Sequence, residues 1–179
     1  MDKKILKVCM LGSFSLEYAG KELVLDRNKN SKTTQLFQLL MLHTEDGGIS
    51  KAAMIEALYG RVEVENKNSS LNNTIFRLRK QLRDIGLPES KYINIQSGMC
   101  CWDENIKVWV DVCEFKRLVE QVRTEKREGD RLQLWLKIWK IYKGEFLPDM
   151  IGENWAAVEN VQCRDDYFQV TTQLCQWLK

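Results

Sequence analysis

The chain has 179 residues, of which 44% are hydrophobic and 29% are charged, with a formal net charge of +2 at pH 7. This composition supports a packed core in one domain or two small ones and excludes an intrinsically disordered chain. No run of 18 apolar residues occurs, and the N-terminal sequence MDKKILKVCMLGSF has no cleavage motif of a signal peptide. We therefore expect a cytoplasmic protein with no membrane span.

The sequence offers little for catalysis or metal binding. His43 is the only histidine, and it lies in the apolar helical run LFQLLMLH. The six cysteines contain no C-x-x-C pair, which favours reduced thiols over a zinc site. No P-loop, G-x-G-x-x-G, H-E-x-x-H or G-x-S-x-G motif is present. We expect neither an enzyme nor a cofactor.

The first sixty residues change from strand to helix patterns. Apolar residues alternate between 5 and 25, which predicts strands with a turn at Ala19-Gly20. A helical pattern follows over 32–43. Ser50 is then placed to cap a second helix that ends at about Tyr59.

A third helix is predicted from one apolar stripe at spacings of three and four residues. The stripe consists of Leu71, Ile75, Leu78, Leu82 and Ile85. Gly86, followed by Leu87 and Pro88, predicts a left-handed C-cap. The segments YINIQSGMCCW and NIKVWVD then predict a hairpin that turns at Ser97-Gly98, with a further strand after it.

These segments carry a family resemblance. KVCMLGSFSLEYAGKELVL, SLNNTIFRLRKQL and INIQSGMCCW resemble the winged-helix output domain of two-component response regulators. VDVCEFKRLVEQ, WKIYKGEFLPDM and ENWAAVEN resemble the bacterial transcriptional activator domain, a tetratricopeptide-like repeat that follows this winged helix in the Streptomyces antibiotic regulatory protein family. The resemblance implies an α+β winged helix over 1–110, with an N-terminal antiparallel sheet, three helices and a C-terminal hairpin. It implies a partial all-α helical repeat segment over 111–179.

The resemblance also implies a function and partners. Members of this family are cytoplasmic transcription activators that bind double-stranded DNA, often at direct repeats. In related proteins, the loop that corresponds to GRVEVENKN meets RNA polymerase. The expected polymerase contacts in this chain are therefore Glu63 and Glu65.

The second part of the chain is predicted to be helical. Its three helices are expected over 111–126, 130–143 and 154–178. Trp135 and Trp139 lie four residues apart on one helical face, which predicts that both belong to the core. Trp155 and Trp177 lie on the last helix, where an exposed repeat edge would favour a homo-oligomer.

The third helix carries a cationic face. Residues 67–83 contain five basic residues and no acidic one, namely Lys67, Arg77, Arg79, Lys80 and Arg83. At about 100° per residue, the side opposite the leucine stripe carries Ser69, Asn73, Phe76, Arg77 and Lys80. A solvated helix face is the alternative, but the resemblance favours DNA.

Roles follow from the chemistry of each side chain. Asn73 and Arg77 are predicted to read bases, because Asn pairs bidentately with adenine and Arg with guanine. Phe76 is expected either to touch a thymine methyl or to pack at a domain interface. The predicted phosphate contacts are Lys67, Ser69 and Lys80, with Asn72, Arg79 and Arg83 on the flank reaching phosphates or pairing with surface acids.

Further DNA contacts are predicted outside this helix. Ser97 lies at the hairpin turn, and Lys32 and Thr34 lie at the start of the first helix, whose amide groups favour phosphate. The alternative is a winged helix used only for protein contacts. It is favoured by the weak charge of residues 1–110, which carry 16 basic and 13 acidic residues, a net of +3, and by a hairpin turn without arginine.

Overall fold

A computed structural model describes residues 4–179, which form a mixed α/β structure of seven strands and six α-helices. The strands are β1 (Leu6–Cys9), β2 (Ser15–Tyr18), β3 (Lys21–Leu23), β4 (Ile49–Ser50), β5 (Ile93–Gln96), β6 (Met99–Trp102) and β7 (Val108–Val110). The helices are α1 (Lys32–Leu42), α2 (Lys51–Tyr59), α3 (Lys67–Asp84), α4 (Asp111–Thr124), α5 (Glu128–Ile141) and α6 (Asn154–Trp177). The chain divides into two compact units. The first contains the chain up to Val8 and Ser15–Trp109, and the second contains Cys9–Phe14 and Val110–Lys179.

The strands form two small sheets, with the orders β3-β2-β1-β7 and β4-β6-β5. The predicted turn at Ala19-Gly20 is confirmed, since β2 and β3 pair antiparallel around it and both turn residues have positive φ. The predicted hairpin is confirmed as β5 and β6, which pair antiparallel around Ser97-Gly98. The further strand is β7, which lies beside β1 in the other sheet.

The helices of the first unit begin at serine caps. Ser31 precedes α1, and its Oγ accepts the Thr34 amide at 3.2 Å. Ser50 precedes α2 as predicted, and its Oγ accepts the Ala53 amide at 3.1 Å. Every residue from Thr33 to Leu42 is buried, so α1 is the central helix of this unit.

The apolar stripe of α3 faces the core as predicted. Four of its members are at most 2% exposed, namely Leu71, Ile75, Leu78 and Leu82, while Ile85 is half-buried. The predicted cap is also confirmed, because Gly86 has a φ of +95°. The Leu87 amide donates to the Leu82 carbonyl at 3.3 Å, and the Gly86 amide donates to the Arg83 carbonyl at 3.1 Å, which is the Schellman pattern.

A buried carboxylate joins the base of the hairpin to the chain before it. Asp103 accepts hydrogen bonds from the Ser90 hydroxyl at 2.6 Å and from the Asn105 amide at 3.1 Å. The Ser90 hydroxyl is the main reason that the pKa of Asp103 lies below its ordinary value. Ser90 Oγ in turn accepts the Tyr92 amide at 2.8 Å.

We expect Ser90→Ala to destabilise the fold by about 1.5–3 kcal/mol at pH 7, because a bond to a charged carboxylate is lost. A carboxyl with a lowered folded pKa contributes stability above its unfolded pKa, about 3.9, and this stability disappears as the pH falls through the folded value. The difference from the parent should therefore shrink as the pH falls below about 3.9, leaving the cost of the lost Tyr92 bond. Urea titrations at several pH values measure it. An equal difference at all pH values would contradict this role of Asp103.

In the second unit, α4, α5 and α6 pack against one another. The three predicted helices are confirmed to within two residues at each end. Trp135 is buried as predicted, at 3% exposure. The prediction for Trp139 is wrong, since this side chain is 56% exposed. The buried side of α5 consists of Trp135 and Ile138, and Trp139 lies beyond its edge.

The segment Cys9–Phe14 packs within the second unit through one buried carboxylate. Asp111 begins α4 and accepts the Met10 amide at 2.8 Å and the Leu11 amide at 2.9 Å. Its carboxylate also accepts the Val112 amide at 2.7 Å. Burial raises the pKa of Asp111, and these three donors oppose the shift. A bridge between Leu11 and Phe146 continues the contact.

Candidate nucleic-acid interface

Helix α3 is held in place by polar contacts as well as by its leucine stripe. The Tyr59 hydroxyl lies 2.5 Å from Oγ1 of Thr74, and the Thr74 hydroxyl donates to the Ser70 carbonyl at 3.0 Å. The side chain of Asn66 caps the helix by accepting the Ser69 amide at 3.0 Å. The sequence analysis missed Tyr59 and Thr74. The available signal was a threonine beside the leucine stripe, where a buried hydroxyl needs a partner.

The opposite side of α3 is open to solvent. Eight exposed residues lie on this side, the last of them Asp84 at the end of the helix. We call the other seven the α3 surface: Ser69, Asn72, Asn73, Phe76, Arg77, Lys80 and Arg83. These are seven of the predicted DNA contacts or neighbours, and the helix places them together over an arc of about 140°. Lys67, the first residue of α3, is half-buried.

The α3 surface is cationic and rich in hydrogen-bonding groups. It contains Arg77, Lys80 and Arg83, and residues 67–83 contain no acidic side chain. None of the three cations forms an ion pair with another residue in the range 4–179. Asn72 and Asn73 add amide groups that both donate and accept. The guanidinium, ammonium and amide groups are thus directed to solvent, where an anion or a base edge can meet them.

Arg79 has a different environment from the other cations of α3. Its Nε donates to the Lys91 carbonyl at 3.1 Å, and its Nη2 donates to the Ile93 carbonyl at 2.6 Å. The guanidinium thus joins α3 to the start of β5. The phosphate contact of Arg79 stays a prediction, and the two hydrogen bonds already occupy the Nε and Nη2 side of the guanidinium.

We expect Arg79→Lys to destabilise the protein by about 1.5–3 kcal/mol, because one ammonium cannot reproduce two bonds with the geometry of the guanidinium fork. Thermal melting measures this change. The matched control is Arg83→Lys, which changes an exposed arginine of the same helix and should shift stability by about 0.5 kcal/mol or less. Equal melting of the two variants would mean that the carbonyl contacts of Arg79 do not hold α3 and β5 together.

The hairpin is anchored near its turn to the start of α2. The Lys51 amide donates to the Gly98 carbonyl at 2.8 Å, and β4 pairs antiparallel with β6. Ser97 is exposed at the turn. Residues 93–102 contain no lysine or arginine, so this hairpin offers a phosphate only neutral groups.

The start of α1 differs from its prediction at one residue. Lys32 is half-buried, with its Nζ 5.9 Å from the centre of the Tyr59 ring. Thr34 is only 1% exposed. Its amide donates to Ser31 Oγ, and its hydroxyl lies 3.0 Å from the same oxygen. The phosphate contact predicted for Thr34 is therefore corrected, because the capping serine already occupies these groups and the residue is buried.

The loop between α2 and α3 presents the two predicted acidic residues. Glu63 and Glu65 are both exposed. With Val62, Val64 and Lys67 they line an open depression of about 500 Å³. The loop therefore offers carboxylates and small apolar side chains on one surface next to the first turn of α3.

Other chemistry is sparse in the part of the chain that the structure describes. Within residues 4–179, no three His, Cys, Asp or Glu side chains gather as metal ligands. Over the same residues, no helix is long and apolar enough to cross a bilayer. His43 ends α1, and its Nδ1 lies 3.0 Å from an Asp46 carboxylate oxygen.

Comparison with solved structures gives a likeness in fold. No family profile and no curated protein sequence matches the chain. The fold is similar to that of EmbR from Mycobacterium tuberculosis, solved in complex with a low affinity phosphopeptide. The TM-score is 0.68 with 14% sequence identity over 96% of this chain. This chain spans 45% of the length of that EmbR chain. The comparison shows a shared fold.

Proposed function

We propose that this protein is a DNA-binding transcription regulator and that residues 1–110 form a winged-helix domain. In this proposal, α3 is the recognition helix and the hairpin of β5 and β6 is the wing. The observation that carries the proposal is the α3 surface, where cations and amides are exposed and the one acidic residue of the helix is its last, Asp84. An α-helix fits the major groove of B-DNA, and such groups recognise its phosphates and base edges.

The side chains of the α3 surface divide by chemistry. Asn73 and Arg77 read base edges, because each offers a bidentate pattern that matches adenine or guanine. Lys80 and Arg83 neutralise phosphates on the flanks. The remaining proposed phosphate contacts are Lys67, Ser69, Asn72, Arg79, Lys32 and Ser97.

Regulation is proposed from the family resemblance. The likeness to EmbR over 96% of the chain supports it, because it extends across both segments that carry the resemblance. Residues 111–179 then belong to a bacterial transcriptional activator domain. Glu63 and Glu65 contact RNA polymerase, so that DNA binding recruits the enzyme in the cytoplasm.

DNA selection tests this function directly. The purified protein is mixed with duplex DNA of randomised sequence, and the bound fragments are sequenced and then titrated at several salt concentrations. We expect one enriched motif, and its affinity should fall with a log-log salt slope of about −4.5 if the five lysines and arginines among the proposed phosphate contacts each neutralise one phosphate. Failure to enrich any motif would contradict sequence-specific binding.

The second candidate is a winged helix that binds only protein. It is favoured by the net charge of +3 in residues 1–110 and by a hairpin without basic residues. Such a module would have little affinity for DNA even at low salt, whereas a DNA-binding protein gains affinity steeply there. The same titration therefore separates the two candidates.

Self-association is a further part of the proposal. Several large apolar side chains of α6 are exposed, among them Val158, Phe168 and Trp177. Val158, Val161 and Phe168 lie on one side of the helix, and an exposed apolar patch of this kind favours association between protein molecules. Light scattering over a range of concentrations should show an oligomer, and a monomer throughout would contradict it.

A further inference from the structure

Phe76 is an exposed aromatic residue in the middle of a polar helix face. Its side chain is 70% exposed, although it lies on an ordered helix. Its neighbours one turn away on this face are Asn72, Asn73 and Lys80, all of which are also exposed. Among the described residues, Phe76 forms no stacking contact with another aromatic ring and no cation–π contact.

Folding does not explain this side chain. A buried phenylalanine contributes to stability through the apolar area that folding removes from water. Because Phe76 is 70% exposed, folding removes little of its apolar area from water. Phenylalanine is also only a moderate helix former. The ring therefore contributes little to the fold, and its apolar surface is available for a partner of α3.

We propose that Phe76 contacts the C5-methyl group of a thymine and is a specificity-determining residue of the α3 surface. This inference rests on the proposed DNA binding. Among the base edges in the major groove, only thymine presents an apolar group, and a phenylalanine ring is one of the side chains that meets it. When the thymine methyl group packs against the ring, both lose contact with water. Thymine is therefore favoured at this position over a base that has no methyl group.

The position of Phe76 specifies where this thymine lies. Phe76 follows Asn73 by three residues, so the two side chains are about 4.5 Å apart along the helix axis and point to the same side. This distance is close to the rise between successive base pairs, about 3.4 Å. The thymine therefore belongs to a base pair next to the one that Asn73 reads.

The test removes the methyl group from the DNA. The probe is the duplex that the purified protein enriches from a randomised pool, with its thymines replaced one at a time by deoxyuridine. For the parent protein, we expect one position at which this replacement weakens binding about fourfold, the value of one buried methyl group. For Phe76→Ala, the same replacement should leave the affinity unchanged within about 1.5-fold, since the ring is absent.

Two further variants separate the outcomes. Phe76→Leu should keep part of the sensitivity to deoxyuridine, because it keeps an apolar side chain. Asn73→Ala should bind more weakly and still lose about fourfold at the same thymine.

The inference is overturned if deoxyuridine weakens binding of the parent and of Phe76→Ala equally at every position, or if Phe76→Ala lowers the melting temperature like a core variant. In both cases DNA binding itself stands. If the pool yields no enriched duplex, the proposed function fails and this inference fails with it.

Discussion

Asp111→Ala is expected to destabilise the second unit by about 3 kcal/mol or more. The substitution removes the acceptor of the Met10 and Leu11 amides, and both of these residues are at most 2% exposed. A buried amide without a partner costs about 1–3 kcal/mol, so two of them account for most of the loss. The carboxylate also lies at the start of α4, where the helix dipole favours a negative charge.

Urea titration followed by circular dichroism measures this effect. Asp165→Ala is the matched control, because that carboxylate is exposed on α6 and its ion pair with Arg164 is 4.0 Å long. It should change stability by about 0.5 kcal/mol or less. Asp111→Asn should still cost more than the control, since its amide nitrogen cannot accept an N–H bond. If all three variants unfold with the parent, Asp111 does not hold the segment 9–14.

The features that the sequence predicted correctly depend on local patterns. The stripe from Leu71 to Leu82 repeats at helical spacing, and Gly86 is the residue type that a left-handed cap favours. Turns at Ala19-Gly20 and Ser97-Gly98 likewise depend on a few adjacent residues. Five residues of the α3 surface, Ser69, Asn73, Phe76, Arg77 and Lys80, followed from the same periodicity, because the buried stripe also determines which side faces solvent.

The features that sequence analysis missed depend on contacts between distant parts of the chain. The bond from Met10 to Asp111 joins residues 101 positions apart, and neither residue type marks it locally. A two-residue strand such as β4 shows no periodicity. Trp139 was misplaced because a spacing of four residues still rotates by about 40°, enough to leave the narrow buried side of α5.

Contacts between distant parts of the chain also explain why two of the predicted DNA contacts, Thr34 and Arg79, have environments that the sequence did not reveal. Thr34 was expected at an exposed helix start, but α1 is buried on all sides from its second residue. Arg79 lies at the edge of the α3 surface, where periodicity does not distinguish a phosphate contact from a bond to a carbonyl. The carbonyls of Lys91 and Ile93 come from β5 and the residues before it, which local spacing along α3 does not reveal.

The two faces of α3 are expected to have separable functions, which the variants Leu78→Ala, Arg77→Ala and Lys80→Ala compare. Leu78→Ala should cost about 2–5 kcal/mol of folding stability, because Leu78 is fully buried and its loss leaves a cavity. Arg77→Ala should change stability by about 0.5 kcal/mol or less, since the side chain is exposed and has no ion-pair partner in residues 4–179. Thermal melting of the three variants tests this contrast.

DNA titration of the same variants distinguishes a base contact from a phosphate contact. Arg77→Ala should weaken binding to the enriched duplex by about 1–3 kcal/mol, and the penalty should shrink when the matching base pair is altered. Lys80→Ala should instead weaken all sequences about equally and flatten the log-log salt slope by about one unit, because one phosphate contact is lost. If Arg77→Ala binds every fragment like the parent, or unfolds as readily as Leu78→Ala, then the α3 surface does not read DNA through Arg77.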